Sequence, residues 1–330
     1  MPGMNGNEPK IEIFAPFGAA YELMKTILFR PFDIGKWLVI AFAAFLSGAW
    51  GGGFNPGRLG RFGSGDWRYR ATSHGNGNWP TDWTMPAWAI ALIIVGALAL
   101  VCLIFALMWV ASRGRFIFTD CVVKNRAAIA EPWHEFRREG NSFFLFSLAV
   151  AFVTMFVTVV LVLIIAVPLG LFSSNRAATA GVGASAVVVF ILFGLVLFVF
   201  LLFFALVSHF MVPVMYRRRC SAKDAFLDVS KLVLRNPGPF VLLVLFGIVL
   251  AIAVGIVGTV IACLTCCIGG LPYISTVLLL PAIVWLLAFK LLFLRQFGDE
   301  YDVWATGGFP APAAEPPPSP PLPPPPMAPA

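Results

Sequence analysis

One histidine lies within an uncharged stretch of the chain, close to a proline. His209 falls within the uncharged window 177–216, and Pro213 follows four residues later. Because proline has no backbone N–H, the carbonyl of residue 209 loses its helical hydrogen-bond donor. An imidazole beside such a carbonyl is a candidate site for binding a ligand or a proton within a membrane helix. The alternative interpretation is a proline kink near the helix end, with His209 facing the membrane interface.

The motifs for catalysis and for metal binding are incomplete. A zinc-protease-like H-E-x-x-H pattern begins at His134, but Arg138 occupies the position of the second histidine. The cysteines of segment 263–267 have a metal-like spacing at the end of an apolar helix, yet no second ligand pair accompanies them. Buried cysteine commonly serves as a small apolar residue. We therefore predict no catalytic residue, no cofactor site and no metal site, and we expect that the protein is not an enzyme.

The elements that would position His209 are long apolar windows. Five windows contain no Asp, Glu, Lys or Arg: residues 37–57, 83–112, 140–175, 177–216 and 236–289. About 20 such residues form a helix that crosses ~30 Å of hydrocarbon, and the last window is long enough for two crossings. The sequence therefore predicts an all-α integral membrane protein with six transmembrane helices. Their predicted bounds are 37–54, 87–111, 143–168, 187–214, 240–264 and 273–294.

Charged residues are few, and their distribution predicts the orientation in the membrane. Only 12% of the chain is charged, against about 25% in a typical soluble domain. Segments that would lie on one side hold 18 Lys and Arg residues, and the alternate loops hold five. Since cytoplasmic loops carry the excess of basic residues, both termini are predicted to lie in the cytoplasm, with the protein in a bacterial inner (cytoplasmic) membrane. The same bias accounts for the net charge of +7, so we expect no nucleic-acid binding.

These predictions divide the chain into three parts. Residues 1–36 form a cytoplasmic N-terminus with an amphipathic helix, residues 37–294 the membrane domain, and residues 295–330 a cytoplasmic proline-rich tail. Within the membrane domain, residues 55–86 form an outer loop. The linkers 112–142 and 215–239 are predicted to be cytoplasmic. The tail is extended, and it is interpreted either as a disordered spacer or as a docking strip for a cytoplasmic protein partner.

The segments before the first, third and fifth predicted spans resemble one another. Each has an alanine ten residues before an arginine: Ala20 to Arg30, Ala128 to Arg138, and Ala225 to Arg235. In the first and third segments, apolar residues follow the alanine at positions +4, +7 and +8, which is one stripe of an α-helix. Three amphipathic helices are therefore predicted to lie in the cytoplasmic interface with the apolar face toward lipid. The predicted unit is an interfacial amphipathic helix followed by two spans, repeated three times.

The arginines that end these segments are the most definite candidate contacts. Arg30, Arg138 and Arg235 are predicted to bind lipid phosphates or to cap cytoplasmic helix ends. Membrane lipids are thus the expected partners. Lys290, one turn from a cytoplasmic helix end, is interpreted as a lysine whose side chain extends to the interface.

Several short motifs match those of a known family. They are LFRPFDIGKW at 28–37, RGRF at 113–116, FRREGNS at 136–142 and FGDEY at 297–301. Over residues 12–304 the chain resembles an uncharacterised family of bacterial and archaeal polytopic membrane proteins. It is also distantly similar to the membrane domain attached to some glycerophosphodiester phosphodiesterases, whose chemistry resides in a separate soluble barrel. The resemblance implies a helical membrane architecture and no activity.

Two functions of different classes fit these observations. The first is a non-enzymatic scaffold or accessory subunit of a membrane assembly, favoured by the lack of buried charge, the amphipathic helices and the proline-rich tail. The alternative is a transporter or permease for a lipid or an apolar small molecule, favoured by the internal repeats. A polar cavity between the repeats would favour the transporter, and a dry, tightly packed bundle would favour the scaffold.

Overall fold

The computed structural model describes residues 15–48, 86–171, 176–265 and 271–305, and every regular element within these ranges is a helix. The helices are, in chain order, α1 (Ala15–Phe29), α2 (Ile34–Leu46), α3 (Ala87–Val123), α4 (Ala130–Glu135), α5 (Arg137–Leu171), α6 (Arg176–Arg218), α7 (Ala222–Arg235), α8 (Pro237–Leu264), α9 (Pro272–Leu278) and α10 (Leu280–Arg295). A 3₁₀ turn follows at Asp299–Tyr301.

Four of the described helices, α3, α5, α6 and α8, are long and apolar enough to cross a membrane. Helix α3 has 37 residues and α6 has 43, so at 1.5 Å per residue they extend about 55 and about 65 Å. Both lengths exceed the ~30 Å thickness of the hydrocarbon core, so each helix continues beyond it. The four helices indicate an integral membrane protein.

The first predicted span is longer than the helix found there. Helix α2 has 13 residues, fewer than a crossing needs, and ends at Leu46. The predicted span 37–54 continues into residues that lie outside the described ranges. Gly48, with a φ of +72°, follows the helix in the left-handed conformation that glycine adopts readily.

The last predicted span, 273–294, is divided into α9 and α10 at Leu279. Pro281, in the first turn of α10, has no N–H to bond the carbonyl of Val277, so the hydrogen bonding of α9 cannot continue. The indole N–H of Trp37 donates to this carbonyl at 3.2 Å. Helix α2 therefore satisfies the group that the proline leaves without a helical donor.

The buried core lies at one end of the bundle, here termed the packed end. It is formed by α1 and α7 together with the adjacent parts of α2, α3, α5, α6, α8 and α10, and Trp133 of α4 packs against it. Phe116, Phe210 and Phe293 are among its largest fully buried side chains. In contrast, the apolar windows of the four long helices are at most 11% buried. Their side chains are therefore available to lipid.

At this end, each of the helices α1, α4 and α7 packs on another helix. Helix α1 packs on α10, α4 on α3, and α7 on α6. The apolar stripes of α1 and α7 are buried, and Ala20, Ile27, Ala225 and Val229 have no exposed surface. The prediction that these two faces meet lipid is therefore wrong, because neighbouring helices cover them.

Candidate anion-binding site

Three helices meet at the packed end. Helices α3, α6 and α10 contact one another pairwise. The rings of Phe210 on α6 and Phe293 on α10 lie 6.2 Å apart between centroids. Phe116 of α3 stacks on Phe136, which in turn stacks on Tyr216 of α6 with centroids 4.9 Å apart. These buried rings set the spacing of the three helices.

Each of the three helices has a basic residue next to these buried side chains: Arg115 on α3, His209 on α6 and Lys290 on α10. Lys290 Nζ lies 3.5 Å from His209 Nδ1. Arg115 lies on α3, which contacts both α6 and α10. We refer to Arg115, His209 and Lys290 together as the cationic cluster.

Arg115 also lines a cavity of about 60 Å³. The other walls are Met108, Ala111, Ser112, Phe143 and Ser147. The guanidinium carbon of Arg115 lies 5.1 Å from the centre of the Phe143 ring, which is a cation–π contact. A buried water needs about 10–15 Å³, so the cavity has room for a small polar group beside the guanidinium.

The cationic cluster is accessible from outside the protein. His209 is exposed, and Lys290 and Arg115 are partly buried. A ligand can therefore reach the charges without separating the helices.

The cluster lies where the apolar windows end. Arg115 is 28 residues after the start of α3, or about 42 Å along the helix. His209 is close to the end of the uncharged window 177–216, and Lys290 ends the window 236–289. The three basic groups thus lie near the ends of the uncharged windows at the packed end.

The carboxylate nearest to Arg115 along α3 has other partners. Asp120 has no exposed surface and accepts hydrogen bonds from Tyr216 Oη and Arg126 at 2.9 Å, with Lys124 Nζ at 2.8 Å. Within the described ranges, the ion pairs include neither Arg115 nor Lys290. Enclosed charges without a counter-ion are unfavourable, so the cationic cluster favours an anionic ligand.

Other basic residues at the packed end have structural partners. Burial lowers the pKa of Lys36, and its Nζ donates to Asn125 Oδ1 at 2.7 Å. Burial also opposes the charge of Arg126, but hydrogen bonds to Glu131 and Asp120 raise its pKa above the ordinary value. Both residues hold the segment after α3 in place, unlike the members of the cationic cluster.

Arg113 fixes α3 against α4 and α5. Its guanidinium carbon lies 4.2 Å from the Trp109 ring centre and 5.0 Å from that of Trp133. Its Nη2 donates to Asn141 Oδ1 at 2.9 Å. A planar guanidinium can stack and donate at once, which an ammonium cannot. Arg113 therefore positions the walls of the cavity beside Arg115.

The predicted polar pair, His209 and Pro213, lies within α6, which continues past the proline to Arg218. His209 belongs to the cationic cluster. Arg30 follows α1, Arg138 lies in the first turn of α5, and Arg235 ends α7. All three arginines are exposed and are not part of the cationic cluster.

Two other predicted regions fall partly or wholly outside the described ranges. Cys263 is exposed at the end of α8, whereas Cys266 and Cys267 lie outside. Among the described residues, no group of three or more His, Cys, Asp and Glu side chains is placed to hold a metal ion. The greater part of the predicted outer loop, residues 55–85, and the tail from residue 306 also lie outside.

Sequence reasoning missed Arg115 and gave Lys290 a different role. Arg115 was assigned to the linker 112–142, but α3 continues through it to Val123. Lys290 was interpreted only as extending to the interface. The position of these residues in the sequence could have indicated the site. Arg115 and Lys290 each lie just after the end of an uncharged window, and His209 lies near the end of another.

A family model described as a family of unknown function (DUF7544) matches residues 12–303. No curated protein and no solved structure matches the chain.

Proposed function

The chain belongs to DUF7544, a family of unknown function, and from the geometry of the cationic cluster we propose that it binds an anionic lipid and moves it within the membrane. This is the transporter or permease alternative, with a charged headgroup on the substrate. The proposal is one of binding and movement, without an enzymatic step. It places the protein in the cytoplasmic membrane, with the packed end on the cytoplasmic side.

The observation that carries the proposal is the meeting of Lys290, His209 and Arg115 at the end of the apolar windows. Lys290 Nζ and His209 Nδ1 are 3.5 Å apart, and Arg115 lies on α3, which contacts both of their helices. Basic pockets between membrane helices near the cytoplasmic surface are suited to anionic lipid headgroups. The exposed part of the cluster would receive the headgroup while the acyl chains remain in the bilayer.

The architecture proposed with this function has six crossings in three repeats. Two features of the helices support it. The units α4 to α6 and α7 to α10 follow the order short, long, long, with α9 and α10 together taking the last place; in the first unit, α1 to α3, the second helix has only 13 described residues. Each short helix packs on the last helix of the preceding unit, and α1 packs on α10. The three units would thus close into a ring.

Both ends of the described chain lie at the packed end. Helix α1 packs on α10, and the turn Asp299–Tyr301 contacts α6 and α10. This supports the proposal that both termini are on one side, which the distribution of basic residues assigns to the cytoplasm. The distant similarity to phosphodiesterase membrane domains stays a prediction about architecture alone.

A scaffold or accessory subunit is the second candidate. The observation that favours it is the low burial, at most 11%, of the apolar windows in the four long helices. Such faces accept lipid or the helices of another membrane protein. In this function the tail from residue 307 would be a docking strip for a cytoplasmic partner.

Gentle purification from the native membrane, followed by mass spectrometry of bound lipids and proteins, distinguishes the lipid-binding function from the scaffold function. We expect one enriched class of anionic lipid with the wild type and loss of that enrichment in Arg115→Gln. Arg137→Gln, an exposed arginine in the first turn of α5, is the matched control. A stoichiometric protein partner without an enriched lipid would favour the scaffold and overturn the lipid proposal.

A further inference from the structure

The cavity between α3 and α5 offers a ligand one charged group. Of its six lining residues Arg115 alone is charged, and Lys290 and His209 are not among them. We propose that this cavity binds the carboxylate of a long-chain fatty acid, whose chain lies along α3 and α5. The inference rests on the proposed function, because the fatty acid would be the anionic lipid that the protein binds.

The first argument is charge. Arg115 is partly buried, and the ion pairs of the described ranges leave its guanidinium without a carboxylate partner. A carboxylate brings one negative charge and two oxygens, which a guanidinium binds with two parallel hydrogen bonds. A phosphate monoester brings about −1.5 to −2 charges and would leave excess negative charge in a cavity with a single cation.

The second argument is the boundary of the cavity beside Arg115. The ring of Phe143, a lining residue, lies 5.1 Å from the guanidinium carbon and 6.3 Å from the ring of Phe116. Both phenylalanines are buried, so the cavity is bounded by rings toward the core. A carboxylate ends its chain, and nothing needs to extend past these rings. A phosphodiester has a substituent on each side of the phosphate and would need space on both.

The third argument is the size and polarity of the cavity. Its volume of about 60 Å³ holds about four to six water-sized groups, enough for a carboxylate and the first methylene groups of a chain. The hydroxyl of Ser112 donates to the Met108 carbonyl at 2.8 Å. The hydroxyl of Ser147 has no hydrogen-bond partner within the described ranges. Ser147 can therefore donate to the carboxylate together with Arg115.

The direction of the two helices provides a path for the chain. A Cβ on Gly140 of α5 would lie 2.8 Å from Cγ of Arg113 on α3, so the helices are close there. Further along α5, Ser147 lines the cavity with Met108, which precedes Arg113 on α3. The helices are therefore antiparallel at the cavity, and the residues before Met108 and after Ser147 extend from the same end of it.

These extending residues are apolar and available to lipid. They belong to the uncharged windows 83–112 and 140–175. The most apolar parts of α3 and α5 are 0% and 6% buried. An acyl chain can therefore lie along both helices without displacing the buried core, while its carboxylate is at Arg115.

The test is binding of defined probes to the full-length protein in detergent, measured by native mass spectrometry and thermal shift. The probes are oleate, oleyl alcohol with the same chain and no charge, acetate with no chain, and dioleoyl phosphatidic acid with a phosphate. Arg115→Gln removes the charge, and Ala111→Leu fills the cavity without changing the charge. The matched controls are Lys231→Gln, an exposed lysine of α7, and Ala97→Leu, an exposed alanine of α3.

We expect wild type to bind oleate more tightly than oleyl alcohol or acetate. Arg115→Gln should weaken oleate binding by about 10- to 100-fold, the effect of a lost charge-assisted hydrogen bond. Ala111→Leu should weaken it as well, and both controls should bind oleate as wild type does. Melting curves report the folding of each variant. If Arg115→Gln or Ala111→Leu does not fold, Ser147→Ala gives a further measurement, with an expected weakening of about 2- to 10-fold.

The other outcomes separate this inference from the proposed function. Oleate bound no more tightly than oleyl alcohol, with phosphatidic acid binding that Arg115→Gln weakens, would overturn the carboxylate inference and leave anionic-lipid binding in place. Oleate binding that Lys290→Gln weakens more than Ala111→Leu does would overturn the assignment to the cavity alone. Acetate bound as tightly as oleate would retain the carboxylate and overturn the fatty-acid assignment. Oleate and phosphatidic acid binding that responds alike to Arg115→Gln and Lys231→Gln would overturn both proposals.

Discussion

Lys290 and His209 approach within 3.5 Å, although 81 residues separate them along the chain. The contact joins α10 to α6 at the point where both helices leave the apolar windows. Arg115 lies on α3, a third helix that contacts both α6 and α10. The site is therefore a product of the tertiary fold, since no short segment of the sequence contains it.

A second permanent charge beside Lys290 should destabilise the protein in a way that a ligand can reverse. Two unit charges about 4 Å apart repel by about 4 kcal/mol at an effective dielectric constant of about 20. His209→Lys is expected to melt at a lower temperature than His209→Gln in neutral detergent. Added dioleoyl phosphatidic acid should reduce the difference. Equal melting temperatures of the two variants would contradict the close approach of the two side chains.

Gly114 permits the close approach of α2 and α3. A Cβ at this position would lie 2.5 Å from the carbonyl carbon of Leu46 and 2.7 Å from the backbone nitrogen of Ser47. Gly114→Ala should therefore lower stability by about 1–3 kcal/mol through overpacking. Gly96→Ala, in the same helix, meets nothing within 4 Å and should be neutral or slightly stabilising. Thermal unfolding in detergent compares the two, and an equal effect would contradict the packing described here.

The long apolar helices could be predicted from the sequence because uncharged windows of sufficient length have few alternatives to a membrane helix. Their ends were less predictable. Helices α3 and α6 continue as one rigid element beyond the apolar windows, and nothing in the hydrophobic pattern marks where the membrane stops and the helix continues. Arg115 was therefore assigned to a linker.

The short helices show a second limit of sequence reasoning. The stripes containing Ala20 and Ala225 correctly indicated amphipathic helices, but amphipathicity does not say whether lipid or protein covers the apolar face. In the structure α10 and α6 cover them. The same limit applies to His209, whose partner Lys290 could be found only once α6 and α10 were placed side by side.

Asp120 should be among the most sensitive charged positions of the packed end. Its carboxylate, without exposed surface, meets Lys124, Arg126 and Tyr216. Asp120→Asn leaves two cations without their shared counter-charge, and a loss of about 3–5 kcal/mol is expected. Asp228→Asn breaks a half-exposed pair with Arg218 and should cost about 0–1 kcal/mol. Denaturant unfolding in micelles measures the free energy of unfolding of both variants. If Asp120→Asn loses no more stability than Asp228→Asn, the ion pairs of Asp120 do not stabilise the packed end.

The exposed arginines Arg30, Arg138 and Arg235 are expected to act on lipid rather than on folding. Their triple replacement by Gln should leave the melting temperature unchanged, because all three side chains are exposed. The variant should retain fewer anionic lipids in native mass spectrometry, since each basic group near the membrane surface contributes about 1 kcal/mol of attraction.

The matched control for that triple variant replaces Arg137, Lys223 and Lys231 by Gln, which removes the same charge from other exposed positions. If lipid retention depends on position, the control should retain more anionic lipid than the triple arginine variant. If the two variants lose lipid equally, net charge alone explains the attraction, and the specific contact of the three arginines with lipid phosphates is refuted.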